Sequence, residues 1–460
     1  MIEYCNCEWL VPEIMDVIRL FDAEDEKFGY HFEYNSGSYY NHIEYGGEFY
    51  SSENFEPTLD ETEFKRYAKR FAKLAFYNLL SKVKNIKMPY GALTGIRPTK
   101  MAYMEGAAGK DFKQTFSQLG VSEENIGHIA KVLETQREIY LNAGGQNLFI
   151  SLPFCPTKCE YCSFITAPIS ATKNLIDPYI SCVERELQAI KPLLTRLKSI
   201  YIGGGTPFAV SDEQLERVLQ AVKALDLPQV EYTVEAGRPD TFTQEKLALC
   251  KAFGVNRLCV NPQSLRNETL EKIGRRHTAG QFFKAYEEAE KLGFDINVDL
   301  IAGLTGESAE DFSRSLKGVI ALDPSNITVH ALSLKSGAKL KESNSRLHVE
   351  GIGEMITLSR RLLGEAGYSP YYMYRQKYQA GGHENCGWCK EGKASVYNVD
   401  VMEEIADNVA VGSNAISKRI FPEEERIERY ASPKDIPTYI AKVDEIIKKR
   451  AELFAEQGGQ

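Results

Sequence analysis

The spacing of apolar and polar positions changes character along the chain. Up to about residue 60 aromatic residues partly alternate with polar ones, as in His31-Phe32-Glu33-Tyr34 and Tyr39-Tyr40-Asn41-His42-Ile43-Glu44-Tyr45. Asn35-Ser36-Gly37 and Gly46-Gly47 punctuate these runs. The pattern predicts a small sheet with hairpins. Over 61–85 the period lengthens: Phe64, Tyr67, Phe71, Leu74, Ala75, Tyr77 and Leu79 suit an amphipathic helix, ended by Pro89-Tyr90-Gly91. Residues 92–145 read as mostly helical.

From Asn147 a repeating rhythm begins. Short apolar runs predict strands at Leu148–Leu152, Ser199–Ile202, Glu231–Val234, Arg257–Val260, Asn297–Ile301 and Ile327–Leu332. Between them, helical patterns run over 178–193, 212–225, 244–253, 280–292 and 309–322. Strand–helix alternation implies parallel pairing through right-handed crossovers. Six units are too few to close an eight-stranded barrel. The expected fold is therefore α/β, an open (βα)6 partial barrel working at its C-terminal strand ends. Beyond about Ser336 the rhythm stops, leaving a helix over 351–364, short strands at 399–401 and 409–411, and a charged helix over 436–452. The expected division is an N-terminal α+β region (1–85), a mostly helical connector (86–145), the barrel core (146–336) and a C-terminal α+β region (337–460) that covers its mouth.

Charge and composition narrow the partners. A net charge of −9 argues against non-specific attraction to nucleic acid. No apolar run approaches the ~20 residues of a membrane helix, and the start lacks a basic segment followed by an apolar one. A soluble cytoplasmic protein is expected. In a reducing compartment, clustered cysteines point to metal or redox chemistry before disulfides.

One such cluster follows the first predicted strand: Pro153-Phe154-Cys155-Pro156-Thr157-Lys158-Cys159-Glu160-Tyr161-Cys162. Iron–sulfur clusters are held by Cys thiolates, usually four. Three local ligands leave one iron open, a vacancy suited to a chelating cosubstrate. A zinc site wants a fourth ligand, and no Cys or His lies close after Cys162; three unrelated buried thiols are the other alternative. Cys182, Cys250 and Cys259 are scattered and read as small buried hydrophobes. Tyr201-Ile202-Gly203-Gly204-Gly205-Thr206-Pro207 follows the second strand, where glycines let the backbone approach a ligand. Glu235, Gln263, Ser264 and Asp299 fall at or in later strands, with Arg275 and His277 in Ile273-Gly274-Arg275-Arg276-His277. Each taken alone is equally a helix cap or surface group. Cys386 and Cys389, beside His383, would need Cys5 and Cys7 to complete a second metal site; otherwise they are two thiols on a lid loop.

The cysteine triplet and the Gly-Gly-Gly-Thr-Pro turn resemble the radical S-adenosylmethionine (SAM) superfamily. Asn261-Pro262-Gln263-Ser264 with Ile273-Gly274-Arg275-Arg276-His277 resembles its oxygen-independent coproporphyrinogen III oxidase branch. Leu93-Thr94-Gly95-Ile96-Arg97-Pro98-Thr99-Lys100, Tyr374-Arg375-Gln376-Lys377, Glu384-Asn385 and Met402-Glu403-Glu404 resemble the HemZ type within that branch. The resemblance implies a [4Fe–4S] cluster on Cys155, Cys159 and Cys162, with Tyr161 beside it. It implies SAM contacts from Gly204, Gly205, Thr206 and Glu235, and a second SAM at Gln263, Arg275 and Asp299. The implied reaction is decarboxylation of two propionates of coproporphyrinogen III to vinyls, giving protoporphyrinogen IX, with a reductant such as flavodoxin or ferredoxin. Arg375 and Lys377 are candidate contacts for substrate carboxylates, or else a solvated pair. The oxidases carry Tyr and His where this chain has Phe149 and Ser151, and a further Cys where Ser163 stands, as in the heme-chaperone branch. A heme carrier or heme-modifying protein is thus the alternative of the same fold.

Overall fold

The computed structural model describes residues 1–455 except 59, 95–96, 163–166, 334–350 and 377–381. The chain forms two compact units: Met1–Ala130 with Tyr374–Glu384, and Lys131–Met373 with Asn385–Gln460.

In the first unit, β1 (Ile2–Cys5), β2 (Phe28–Asn35), β3 (Ser38–Tyr45) and β4 (Glu48–Phe55) form one sheet in that order. β1 runs parallel to β2, and the others are antiparallel. The β2–β3 turn has Ser36 at φ 48° and Gly37 at φ 93°, the two successive positive values that a two-residue hairpin turn requires. Alternation sends Phe28, Tyr30, Phe32, Tyr39 and Ile43 inward. There Phe76, on the helix Glu61–Lys84, meets the rings of Phe28 and Tyr30 at 5.7 and 5.4 Å. Asp60 caps this helix at its start, and Asn85 ends it in the left-handed conformation.

The second unit holds the barrel strands. β5 (Gln146–Leu152) leads to two short strands, β6 (Phe154–Cys155) and β7 (Ala167–Pro168), which pair with each other. Then follow β8 (Leu197–Gly204), β9 (Glu231–Gly237), β10 (Arg257–Val260), β11 (Asp295–Ala302) and β12 (Asn326–Ala331). β5, β8, β9, β10, β11 and β12 lie side by side in chain order, all parallel. Each contributes fully buried aliphatic side chains, as a parallel sheet covered on both faces demands: Ile150, Ile202, Val234, Leu258, Val298 and Ile327. Helices return the chain between strands. Capping boxes start three of them: Ser211 with Gln214, Thr278 with Gln281, and Ser308 with Asp311. Each cap stabilises its helix by about 1 kcal/mol.

The later strands are β13 (Ser369–Tyr374), β14 (Asn385–Cys389), β15 (Asp407–Val411), β16 (Ile416–Phe421) and β17 (Arg426–Ala431). β14 pairs antiparallel with β12, with β13 beyond it. At the other edge β15 pairs parallel with β5, followed by β16 and β17. The later strands therefore build both flanks of the open barrel sheet.

The strand expected at 399–401 is instead part of the helix Val396–Glu403. Val399-Asp400-Val401 alternates like a strand, but distant partners decide its state. The Glu231 carboxylate accepts from the amides of Val396 and Tyr397 at 3.0 and 3.1 Å, taking two of the donors a helix start leaves unpaired. Asp400 then receives Lys198 Nζ at 2.7 Å and Asn147 Nδ2 at 3.0 Å. Glu231, Lys198 and Asn147 all sit at strand starts, so this helix closes the barrel from below, opposite the cysteine loop.

Candidate functional site

The chain leaves β5 at Leu152, makes the β6–β7 bridge, and so loops out and back between Cys155 and Ala167. The Phe154 carbonyl accepts from Thr206 N at 2.8 Å, and the Pro153 carbonyl from Ala167 N at 2.7 Å. Cys159 is buried, while Cys155 and Cys162 are partly exposed. Burial first, against the hydrogen bond to Thr206 and with the Cys162 and Cys159 thiols adding, pushes the Cys155 thiol up to about 11. The three thiols thus feel one another, and binding iron there releases protons. Among the described residues no three His, Cys, Asp or Glu side chains are grouped to hold a single metal ion. A cluster, by contrast, takes its thiolates on separate irons. Three free thiols on one loop, Cys155, Cys159 and Cys162, are the donor chemistry that an iron–sulfur cluster takes.

The glycine turn stands directly across from this loop. A side-chain carbon on Gly205 would fall 2.7 Å from the carbonyl oxygens of both Leu152 and Phe154. One on Gly203 would fall 2.6 Å from the Glu235 carboxylate, and Gly204 adopts φ +96°. Only glycine lets β8 end this close to β5 and the loop. Thr206 is buried, its hydroxyl 3.4 Å from the Cys155 sulfur.

Glu235 lies near the end of β9. Protein surrounds it although it keeps some accessible surface. Burial and then the Asp299 charge raise its carboxyl to about 8, against hydrogen bonds from the Tyr201 hydroxyl and the Gly204 amide. Asp299 is held the other way. Burial alone would raise it, but hydrogen bonds with His330, Asn297 and Thr328 outweigh that and keep it ionised. Asn297 Nδ2 donates to Asp299 Oδ1 at 2.8 Å. Gln263 sits at φ +68°, pinned between Asp299 O and Ile301 N, and its Oε1 is buried with no hydrogen-bond partner. A buried orphan of this kind costs about 1–3 kcal/mol until a ligand meets it.

Arg275 ties the far side together. Its Nε donates to Tyr161 OH at 3.2 Å, its Nη1 to the Asn261 carbonyl, and it also bonds Cys159. Glu160 N donates to Ile273 O at 3.0 Å, and Tyr161 packs on Leu270, Ile273, Ile301, Leu304 and Leu332. The structure therefore gathers Cys155, Cys159, Tyr161, Cys162, Gly204, Gly205, Thr206, Glu235, Gln263, Arg275 and Asp299 around the strand ends of one unit.

Two candidates are not part of that gathering. Arg375 belongs to the other compact unit. Its guanidinium donates to the carbonyls of Gly382, at 3.1 and 2.6 Å, and Leu93, and it stacks 4.4 Å over the Tyr90 ring. That side chain is committed to holding main chain. Lys377 lies outside the described residues. Cys386 and Cys389 fall three apart on β14, and strand alternation points them to opposite faces. The two do not form one site.

Two residues escape the sequence patterns. Arg238, just past β9, reaches into the cysteine loop, and only its place after a strand end hints at this. Tyr397 stacks inside the barrel on Tyr201 and Phe149, and nothing local to residues 396–403 signals it.

Residues 149–318 match the radical SAM superfamily. The chain is 34% identical over 424 residues to the oxygen-independent coproporphyrinogen-III oxidase-like protein HemZ of Bacillus subtilis (strain 168), covering 87% of this chain and 84% of that one. It is 35% identical over 193 residues to the heme chaperone HemW of the same organism, covering 41% of this chain and 50% of HemW. Coproporphyrinogen III oxidase (HemN) from Escherichia coli superposes with a TM-score of 0.53 at 20% identity, over 67% of this chain and 72% of that one, a likeness of fold.

Proposed function

This chain belongs to the HemZ-like group of the radical SAM superfamily, and from that premise we propose that it oxidatively decarboxylates coproporphyrinogen III to protoporphyrinogen IX without oxygen. The superfamily's cofactors are a [4Fe–4S] cluster and SAM. Once bound, they would supply one-electron reductive cleavage of SAM and a carbon radical able to take hydrogen from a propionate β-carbon, after which the substrate would lose carbon dioxide and pass one electron to an external acceptor.

The chain's own residues hold and shield these groups. Cys155, Cys159 and Cys162 are the cluster ligands. Gly204, Gly205, Thr206 and Glu235 would receive the amino-acid end of SAM. Gln263, Arg275 and Asp299 supply the polar wall where a second SAM would lie. The stacked rings of Phe149, Tyr201 and Tyr397 fill the barrel beneath and keep water out from below. A reductant of the flavodoxin or ferredoxin kind delivers the electron.

The observation that carries this reading is the unpartnered, buried Gln263 Oε1, on a residue whose amide donates to the Asp299 carbonyl beside the strand ends that bear the cysteine loop and glycine turn. The test is an anaerobic assay of reconstituted protein with dithionite, SAM and coproporphyrinogen III. Expected are 5′-deoxyadenosine and protoporphyrinogen IX together, and loss of both in Cys159→Ala. 5′-Deoxyadenosine without decarboxylated product would end the oxidase reading.

Heme carriage is the second reading, favoured by the HemW similarity and by Ser163 directly after the triplet. Stoichiometric heme binding with no turnover of coproporphyrinogen III would select it.

A further inference from the structure

The loop between Cys155 and Cys159 is gripped from outside by a residue that the reaction above does not use. Arg238 follows β9, and its side chain is only 3% exposed. Its Nε and Nη2 make a two-pronged pair with Asp240, at 2.9 and 2.7 Å. The remaining Nη1 donates to the Thr157 hydroxyl at 2.6 Å and lies 3.4 Å from the Thr157 carbonyl. Thr157 stands midway between Cys155 and Cys159. Its hydroxyl in turn donates to Gly274 O at 3.4 Å. One guanidinium thus joins the end of the third barrel strand, the cysteine loop and the 273–277 segment.

The grip is rigid. Arg238 opens a turn of 3-10 helix, Pro239–Thr241. There Thr241 returns both its amide (3.0 Å) and its hydroxyl (2.7 Å) to the Arg238 carbonyl. Asp240 fixes one edge of the planar fork, so the other edge can only point at the loop. A lysine in this place would keep the charge but not the fork.

We propose that Arg238, held by Asp240, is a positioning residue for the iron–sulfur site: it clamps the Cys155–Cys159 loop through Thr157 and supplies a fixed positive charge that makes the cluster easier to reduce. Outer hydrogen bonds and nearby charge set both the retention and the potential of a metal centre. The proposal rests on the three cysteines binding the cluster, and its test separates the two ideas.

The full chain is reconstituted anaerobically as wild type, Arg238→Lys, Arg238→Gln and Thr157→Val. Iron and sulfide per chain, the rate of iron loss to a chelator, the electron paramagnetic resonance spectrum and the redox titration of the cluster are then measured. Arg238→Gln is expected to lose iron several-fold faster and to shift negative, with the reduced-to-oxidised ratio at a fixed potential falling about tenfold, or about 59 mV for a one-electron couple. Arg238→Lys keeps the potential and loses iron faster. Thr157→Val leaves the Arg238–Asp240 pair whole, so it folds even if Arg238→Gln does not; it too loses iron faster at unchanged potential. Wild-type iron retention and potential in Arg238→Gln, or wild-type iron retention in Thr157→Val, overturn the clamp while leaving the cysteine assignment standing. A wild-type chain that takes up no cluster overturns both.

Discussion

The ring of Tyr397 lies on the ring of Tyr201, with centroids 4.4 Å apart and planes 19° from parallel. One residue belongs to the second barrel strand, and the other rises from the helix beneath the strand starts. Phe149, on the first strand, extends the stack at 6.2 Å from each. The barrel floor is therefore an aromatic stack in which two barrel strands supply two rings and a helix from outside the six strand–helix units supplies the third.

Removing that floor is costly. Tyr397→Ala is expected to destabilise the barrel unit by about 3–5 kcal/mol, through lost burial and the cavity left behind. Tyr397→Phe, which keeps the ring, should cost under about 1.5 kcal/mol. Urea unfolding followed by circular dichroism checks both, and equal midpoints for Tyr397→Ala and wild type would show the stack to be incidental.

The raised carboxyl of Glu235 gives stability a definite pH dependence. Its folded value is about 8 against an ordinary 4.5. Between those values the folded chain holds a proton that the unfolded chain has released. Stability contributed by this group is thus full below about pH 4.5, falls as pH rises, and is flat above about 8. The loss is at most about 5 kcal/mol. Unfolding of cofactor-free Glu235→Gln across pH 5 to 8 should lack this decline, and an unchanged slope would assign it elsewhere.

Much of the site was legible because its markers are local. Three thiols on a loop and consecutive glycines after a strand need no distant partner to be noticed. Asp299 and Glu235 were recognisable as polar residues in apolar strands. The opposed pulls on their two carboxyls were not, since those come from His330, Asn297 and Tyr201 across neighbouring strands. The flanks were the least readable part. Val399-Asp400-Val401 alternates like a strand, and the Ser395 cap together with Glu231, more than a hundred residues earlier, makes it a helix. Cys386 and Cys389 have metal-ligand spacing in sequence, and only their placement on β14 separates them.

The glycine turn supplies a steric test. Gly205→Ala would push against the carbonyls of Leu152 and Phe154, both main chain and unable to swing aside. SAM affinity is expected to fall at least about tenfold, roughly 1.4 kcal/mol, and cluster content to drop with it. Equilibrium dialysis with labelled SAM and iron analysis measure these. Wild-type values for both would mean that the turn is not held against the loop.

A buried pair anchors the C-terminal helix Val443–Phe454. Arg450, fully buried, meets the Glu186 carboxylate, which also accepts from Tyr439 OH and, at 3.1 Å, from Gly412 N. Arg450→Met leaves that carboxylate without its cation and should cost about 3–5 kcal/mol. Arg450→Met with Glu186→Gln should recover part of this. A thermal shift experiment on the single and double variants decides it, and an additive double variant would deny the coupling.

The pairing of β5 with β15, Gln146 opposite Asp407, has a consequence during synthesis. The first barrel strand leaves the ribosome about 250 residues before the strand that will lie against its outer edge. At about 5–20 residues per second, that edge waits roughly 10–50 s. Throughout that interval its amides and carbonyls are open to any other extended chain. The yield of such a chain in a cell should therefore track translation speed between residues 152 and 411 more closely than the stability of the finished fold.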